Sequence, residues 1–259
     1  MAQYKHNYDQ NLLATILKKA LAIKEEAAVK RHLNLKYIRG PQRLIPEINQ
    51  LNHDPLRLAR INQLVGAELE PYPISIVAST ITFMGPEDGD GTVDWHSDGC
   101  PVTELIPLSI DDNDDCGVEI YKGNHETGHA LLAEGKEIPG DQVFGVQHRV
   151  GSSTLGQFIR VLHRTVPMSR GTRVTLVLNL RSREKPYVDD NSLHYLGADN
   201  PDFSWVDEVI SDVREHRLPA YETAMGVTDD TPDSSWAEDA TSKIQGHPLP
   251  AYENQVGIQ

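Results

Sequence analysis

The sequence predicts a mainly β chain with flanking helices: an antiparallel sandwich or barrel, preceded by helical segments. Three observations carry that expectation. From residue 73 onward, β-branched residues gather in short runs, and turn clusters such as GPEDGDG and DDNDDCG separate the runs. No helical pattern intervenes between them, and strands without crossover helices pair antiparallel rather than build an alternating α/β sheet. With 259 residues, 39% of them hydrophobic, the chain can bury a sizeable core and suits one domain with additions.

Over residues 8–31, Leu12, Leu13, Ile16, Leu17, Ala20, Leu21 and Ile23 fall at helical spacing. A second helix is expected from Asp54-Pro55, a carboxylate cap followed by proline, through LRLARINQLVGAEL. The expected strands are 73–84, 92–98, 102–110, 117–121, 154–162 and 172–182. The last third holds a duplication: residues 200–227 align without gaps to 231–258, matching Pro201 to Pro232, Trp205 to Trp236, and LPAYE at 218–222 to LPAYE at 249–253. Each copy reads as a short helix followed by a proline-broken extended arm. The expected organisation is helices at 1–70 packing on a core at 71–190, with an appendage at 191–259 that packs on the core or on a second copy as a homodimer.

A net charge of −14 argues against nucleic acid as a partner. Between Arg149 and Lys185, however, lie eight of the 24 lysines and arginines with one acidic residue, Glu184. Such a segment suits either an anionic small ligand or a solvated face. No apolar run is long enough to cross a bilayer, and the first residues lack a secretory h-region. Two cysteines, Cys100 and Cys116, make no disulfide framework and fit free thiols in the cytoplasm.

Residues 125–129, HETGH, match the HExxH signature of zinc hydrolases. Zinc chemistry needs both histidines on one helical face. Gly123 and Gly128 oppose a helix, and GVEIY before them alternates as a strand does, so a turn is expected.

A second constellation is stronger. TVDWHSDG places His96 and Asp98 at i and i+2, on one face if the segment is a strand. Downstream, FIRVLHRTVPMSRGTRVTLVLNLRS supplies His163 at a strand end and Arg173 ten residues later. Two histidines and a carboxylate form the facial triad of non-haem iron(II) oxygenases. A keto-acid cosubstrate chelating iron leaves its distal carboxylate deeper in the barrel, where an arginine fork suits it. Arg173 and Thr175 alternate on one strand and are expected to face inward together.

On these residues the chain resembles the Fe(II)/2-oxoglutarate-dependent oxygenase superfamily. DDCGVEIYKGNHETGH is similar to the NG-x-L-x-x-x-PGSH-x-x-G stretch of its phytanoyl-CoA hydroxylase-like members, departing at Lys122 and Asn124. The resemblance spans roughly residues 70–185 and implies a double-stranded β-helix, a cupin-like jelly roll. It implies that His96, Asp98 and His163 hold Fe(II), that Arg173 and Thr175 hold 2-oxoglutarate, and that O2 is consumed. Oxidative decarboxylation to succinate and CO2 would drive oxidation of a C–H bond in a small polar metabolite, such as an amino acid or natural-product intermediate. With Asp98 in the triad, hydroxylation, desaturation or cyclisation is favoured over halogenation. Asn179 and Arg181 share parity with Arg173, and Thr80 and Thr82 alternate on the preceding strand, so these four are candidates for substrate contact. A zinc hydrolase using residues 125–129 and a non-catalytic cupin-like binding protein are the rival readings.

Overall fold

The computed structural model describes residues 1–31, 33–111, 117–168 and 170–227, without the side chains of residues 194 and 195. Two antiparallel sheets face each other. The larger runs β1 (Ala2–Lys5), β9 (Ser152–Gly156), β6 (Val102–Asp111), β11 (Thr172–Ser182), β4 (Ser79–Met84) and β2 (Lys36–Arg39), with β3 (Leu69–Pro71) pairing the far end of β11. The smaller sheet runs β5 (Val93–His96), β10 (His163–Thr165), β7 (Gly117–Tyr121) and β8 (Val143–Gln147). No helix among the described residues is long and apolar enough to cross a membrane.

The large sheet is covered on its outer face by helices. α1 (Gln10–Ala27) starts where the Asp9 carboxylate accepts from the backbone N–H groups of Asn11 and Leu12. Its buried Leu13, Ile16 and Ala20 pack with α2 (Glu47–Asn52) against Ile81 and Phe83 of β4, Ile106 of β6, and Val174, Leu176 and Leu178 of β11. α3 (Pro55–Val65) is capped by Asp54 and stopped by Gly66 in the left-handed region, as its sequence signals require. The N-terminal seventy residues thus add three strands to the sheet besides these helices, strands too short and too polar to show an alternating pattern.

A buried ionic hub joins these layers. Glu104 on β6 is fully buried; one carboxylate oxygen accepts from the Tyr4 and Tyr8 hydroxyls at 2.6 and 2.7 Å. The other accepts from Arg57 Nε at 2.9 Å and pairs with its Nη2 at 2.8 Å, and Arg57 also donates to the Asn52 carbonyl. Burial raises the Glu104 pKa, but the guanidinium and hydroxyls outweigh that and hold it below the usual carboxylate range.

Several expected elements differ. Residues 73–78 are not strand: Ser75–Ala78 form one helical turn, α4, before β4 begins. The cause is tertiary, since the Glu208 carboxylate accepts from the Ser75 backbone N–H and hydroxyl at 2.6 and 2.7 Å and caps the turn. The expected strand 154–162 is broken. β9 ends at Gly156, a 3-10 turn follows at Phe158–Arg160, and β10 begins in the other sheet.

HETGH is a helix rather than a turn: α5 spans His125–Ala133, and the Asn124 side chain accepts from the Glu126 N–H at 2.7 Å. Gly128 is the one buried residue of that helix, and a Cβ there would lie 2.4 Å from Leu162 Cδ2 and 3.0 Å from Tyr121 Cδ1. The glycine that argued against a helix is what lets the helix approach the small sheet.

Toward the C-terminus come α6 (Leu193–Asp199), α7 (Val206–Asp212), a π-helical segment Val213–Arg217 and α8 (Leu218–Met225). Trp205 and Val206 pack on Tyr72, Ile74, Ile76 and Cys100. The first repeat copy therefore stays helical where an extended arm was expected. Pro219 follows directly on the π-helical turn Val213–Arg217, where wider i→i+5 pairing replaces the regular α-helical ladder. The second copy, residues 231–258, lies outside the described residues, as does Cys116.

Arg57→Met should strand the Glu104 charge and lower unfolding stability by about 3–5 kcal/mol in urea titrations at neutral pH. Gly128→Ala, by contrast, should cost about 1–3 kcal/mol through overpacking against Leu162 and Tyr121.

Candidate active site

Between the two sheets lies a cavity of about 640 Å³. β11 supplies one wall by simple alternation: Val174, Leu176 and Leu178 face the helices, while Arg173, Thr175, Val177 and Asn179 face the cavity. β4 does likewise, sending Ile81 and Phe83 outward to the helices and Thr80, Thr82 and Met84 into the cavity.

The opposite wall carries the candidate metal ligands. β5 and β10 pair antiparallel with His96 directly across from His163, and the ring centroids are 4.2 Å apart. Asp98 lies past the end of β5, so the shared face expected from strand pleat is made differently. The Asp98 N–H donates to the Phe158 carbonyl at 3.0 Å, and that loop bond turns the carboxylate back toward the histidines. Asp98 Oδ1 is 3.4 Å from His96 Nε2 and 3.6 Å from His163 Nε2. One ligand atom from each of the three residues lies within 4.8 Å of the others, the one such cluster among the described residues.

Tautomer and charge suit a cation. His96 Nδ1–H donates to the Asp94 carbonyl at 2.7 Å and His163 Nδ1–H to the Val161 carbonyl at 2.9 Å. Both Nε2 lone pairs are thereby aimed at the same point. Burial pushes the His163 pKa down, only partly opposed by Asp98, which favours the neutral, ligating ring. For Asp98 burial pulls upward, yet the flanking imidazoles prevail and hold it ionised below the usual range. His96 is lowered by burial but raised more by the Asp98 hydrogen bond and charge. The donor set, two imidazole nitrogens and one carboxylate with room beside them, fits a divalent first-row metal with open positions. Behind Asp98, the Thr103 hydroxyl donates to Asn179 Oδ1 at 2.9 Å and lies 3.4 Å from Asp98 Oδ2. The Asn179 amide in turn donates to the Val77 carbonyl at 2.6 Å.

Arg173 and Thr175 stand at the cavity's deep end, 2% and 4% exposed, with the Arg173 guanidinium touching Met84 Sδ at 2.7 Å. The Thr175 hydroxyl is buried with no hydrogen-bond partner among the described residues. Thr82 is the cross-strand neighbour of Thr175, and Thr80 accepts from Arg39 at 3.3 Å. Arg181 is a correction: it does not line the cavity. It is bonded to Glu70 at 2.9 Å and Asp212 at 2.6 Å, because β11 runs past the cavity's end into the acidic partners of β3 and α7.

Three features had no local signal in sequence. His148 lines the deep end, between β8 and β9. Arg39 lines the outer part and meets Asp199 at 3.1 Å, 160 residues away. Asp190, Asn191, Ser192 and Leu196 form a wall across the opening. That wall is pinned at both ends. Asp189 receives the Tyr72 hydroxyl and Arg217 (3.0 Å), while Asp199 receives the Tyr37 hydroxyl (2.6 Å) and Arg39. Cys100 sits behind the wall, where burial pushes its thiol pKa up and disfavours redox reactivity.

The HETGH helix carries no comparable centre. His125 and His129 are one turn apart with centroids 6.2 Å apart, but they belong to no three-ligand cluster among the described residues. His129 Nε2 instead hydrogen-bonds Ser97 at 3.0 Å, so the helix props the loop between His96 and Asp98.

No family model matches the chain, and neither does any curated protein. Solved structures do. The epimerase SnoN of nogalamycin biosynthesis, a non-haem α-ketoglutarate-dependent enzyme, is 15% identical over 71% of this chain and 78% of its own, with a TM-score of 0.57. EctD from S. alaskensis with bound Fe gives 15%, 70%, 72% and 0.52. HygX from Streptomyces hygroscopicus, with nickel and 2-oxoglutarate bound, gives 13%, 70%, 82% and 0.50. At such identities the likeness shows the fold. The chain has the double-stranded β-helix fold of the non-haem iron, 2-oxoglutarate-dependent oxygenases, and nothing in the likeness singles out the phytanoyl-CoA hydroxylase-like branch.

Asp199→Ala removes the shared acceptor of Tyr37 and Arg39 and should cost about 3 kcal/mol or more. Hydrogen exchange over 193–199 should speed up, while exchange in β11 stays slow at matched stability.

Proposed function

We propose that the chain is an Fe(II)- and 2-oxoglutarate-dependent oxygenase that oxidises an unactivated C–H bond of a small polar metabolite. The observation that carries this reading is the convergence, in one cavity, of the His96–Asp98–His163 cluster with a buried Arg173–Thr175 pair. Iron with chelated keto acid would supply the O2-dependent oxidising chemistry, with succinate and CO2 as coproducts.

The chain's own residues do the rest. His96, Asp98 and His163 hold the metal on one side, each imidazole fixed by a carbonyl behind it. Thr103 and Asn179 hold the Asp98 carboxylate in place, so Asn179 supports the site rather than contacting substrate. Arg173 and Thr175 bind the distal carboxylate of the cosubstrate, with Thr82 beside them. Thr80, Arg39, Asn191 and Leu196 face the remaining space and orient the substrate. The wall from Asp189 to Asp199 keeps water out of the reacting end.

A cavity of about 640 Å³ exceeds what a five-carbon keto diacid fills, which supports a natural-product intermediate over a free amino acid. Of the proteins sharing the fold, SnoN has been seen with nogalamycin RO and HygX with hygromycin B. Hydroxylation is the favoured outcome, with desaturation or cyclisation as branches from the same substrate radical. A single catalytic unit, cytoplasmic, and a homodimer joined through the C-terminal repeat complete the reading.

Anaerobic Fe(II) and 2-oxoglutarate together should produce a weak visible charge-transfer band that neither gives alone. Succinate release should then identify the substrate from a panel of natural-product intermediates. His163→Ala and Asp98→Gly should each lose the band and at least about a hundredfold of turnover, with His125→Ala retaining both. Turnover lost in His125→Ala and kept in His163→Ala, with no band in any variant, belongs to a zinc hydrolase. A wild-type chain that gives neither the band nor turnover behaves as a cupin-like binding protein.

A further inference from the structure

The deep end of the cavity holds a side chain that belongs to no motif. His148 lies where the chain crosses from the small sheet to the large one, between the end of β8 at Gln147 and the start of β9 at Ser152. Leu105 of β6 pairs Thr154 of β9, and Ile110 of β6 pairs Arg173 of β11. These registers bring the crossing to the end of the large sheet where Arg173 stands. The imidazole is 5% exposed and lines the same cavity as Arg173 and Thr175.

The ring is uncharged there. Burial, and then the Arg173 guanidinium, push its pKa down to about 3. A neutral imidazole offers one N–H donor without adding a second cation beside the arginine. His148 does not belong to the His96–Asp98–His163 cluster, so it is not a further metal ligand, and it lies at the end away from the substrate-facing wall.

Resting on the oxygenase reading, we propose that His148 is a further cosubstrate-binding residue, its imidazole N–H donating to the distal carboxylate of 2-oxoglutarate beside Arg173 and Thr175. A carboxylate offers about four acceptor positions. A bidentate guanidinium fills two and the Thr175 hydroxyl a third, which leaves the fourth for a donor on the facing crossover. A buried carboxylate lacking that last partner binds more weakly, since each unmet position forfeits a charge-assisted hydrogen bond.

The test is titration of the full, Fe(II)-loaded chain under anaerobic conditions with two keto acids. 2-Oxoglutarate carries the distal carboxylate; 2-oxobutyrate has the same chelating head and lacks it. His148→Leu should weaken 2-oxoglutarate by roughly tenfold or more and leave 2-oxobutyrate unchanged. His148→Asn, smaller and still a donor, should fall between and serves should the leucine variant not fold. Unaltered 2-oxoglutarate affinity in either variant, or equal loss for both keto acids, overturns the assignment. A wild-type chain that binds neither keto acid overturns the oxygenase reading and this residue's role with it. Tight wild-type binding that the substitutions do not move overturns the role alone.

Discussion

The placement of β11 governs the molecule. It lies between β6 on one side and β4 and β3 on the other, and both its faces are buried. A strand's side chains alternate strictly, so one sequence must serve a helix-covered core and a polar cavity at once. TRVTLVLNLRS does this with aliphatic residues at even positions and Arg173, Thr175 and Asn179 at odd ones. Slipping its register by one residue would put a guanidinium under α1 and α2 and leave the cavity without that buried cation.

The wall of candidate metal ligands is built on a different device. Its strands are short, and His96 and His163 face each other because β5 and β10 pair at that position. Their remaining geometry comes from main chain: carbonyls of Asp94 and Val161 fix the rings, and an amide bond to Phe158 returns Asp98 to them. Backbone groups are rigid donors and acceptors, which suits a centre whose ligands must be held to within fractions of an ångström. The polar layer behind the sheet, centred on Glu104, then joins β1 and α3 to β6 through one shared buried carboxylate.

Much of the core was legible because period and capping are local. The helix expected within 8–31 and the strands expected at 102–110, 117–121 and 172–182 follow from spacing of apolar residues, and the helix from Asp54-Pro55 from cap chemistry. Where the expectation failed, a distant group had intervened. Glu208 turned Ser75–Ala78 into a helical turn, and Leu162 with Tyr121 made Gly128 an asset to α5. Arg181 kept its inward parity, but Glu70 and Asp212 claimed it, since strand parity says which face a residue takes and not what waits there.

By itself, then, the sequence determined the strand alternation, the main helix starts, and the residue types able to hold a metal and an anion. These depend on neighbours within a few residues. Tertiary structure alone decided that His96 meets His163 across two strands 67 residues apart, that Asp189 and Asp199 pin a wall over the cavity, and that His148 lines the same cavity as Arg173. Such encounters are set by which strands pair and where the chain crosses between sheets. That choice is made by the burial of the whole fold and leaves no periodic trace along the chain.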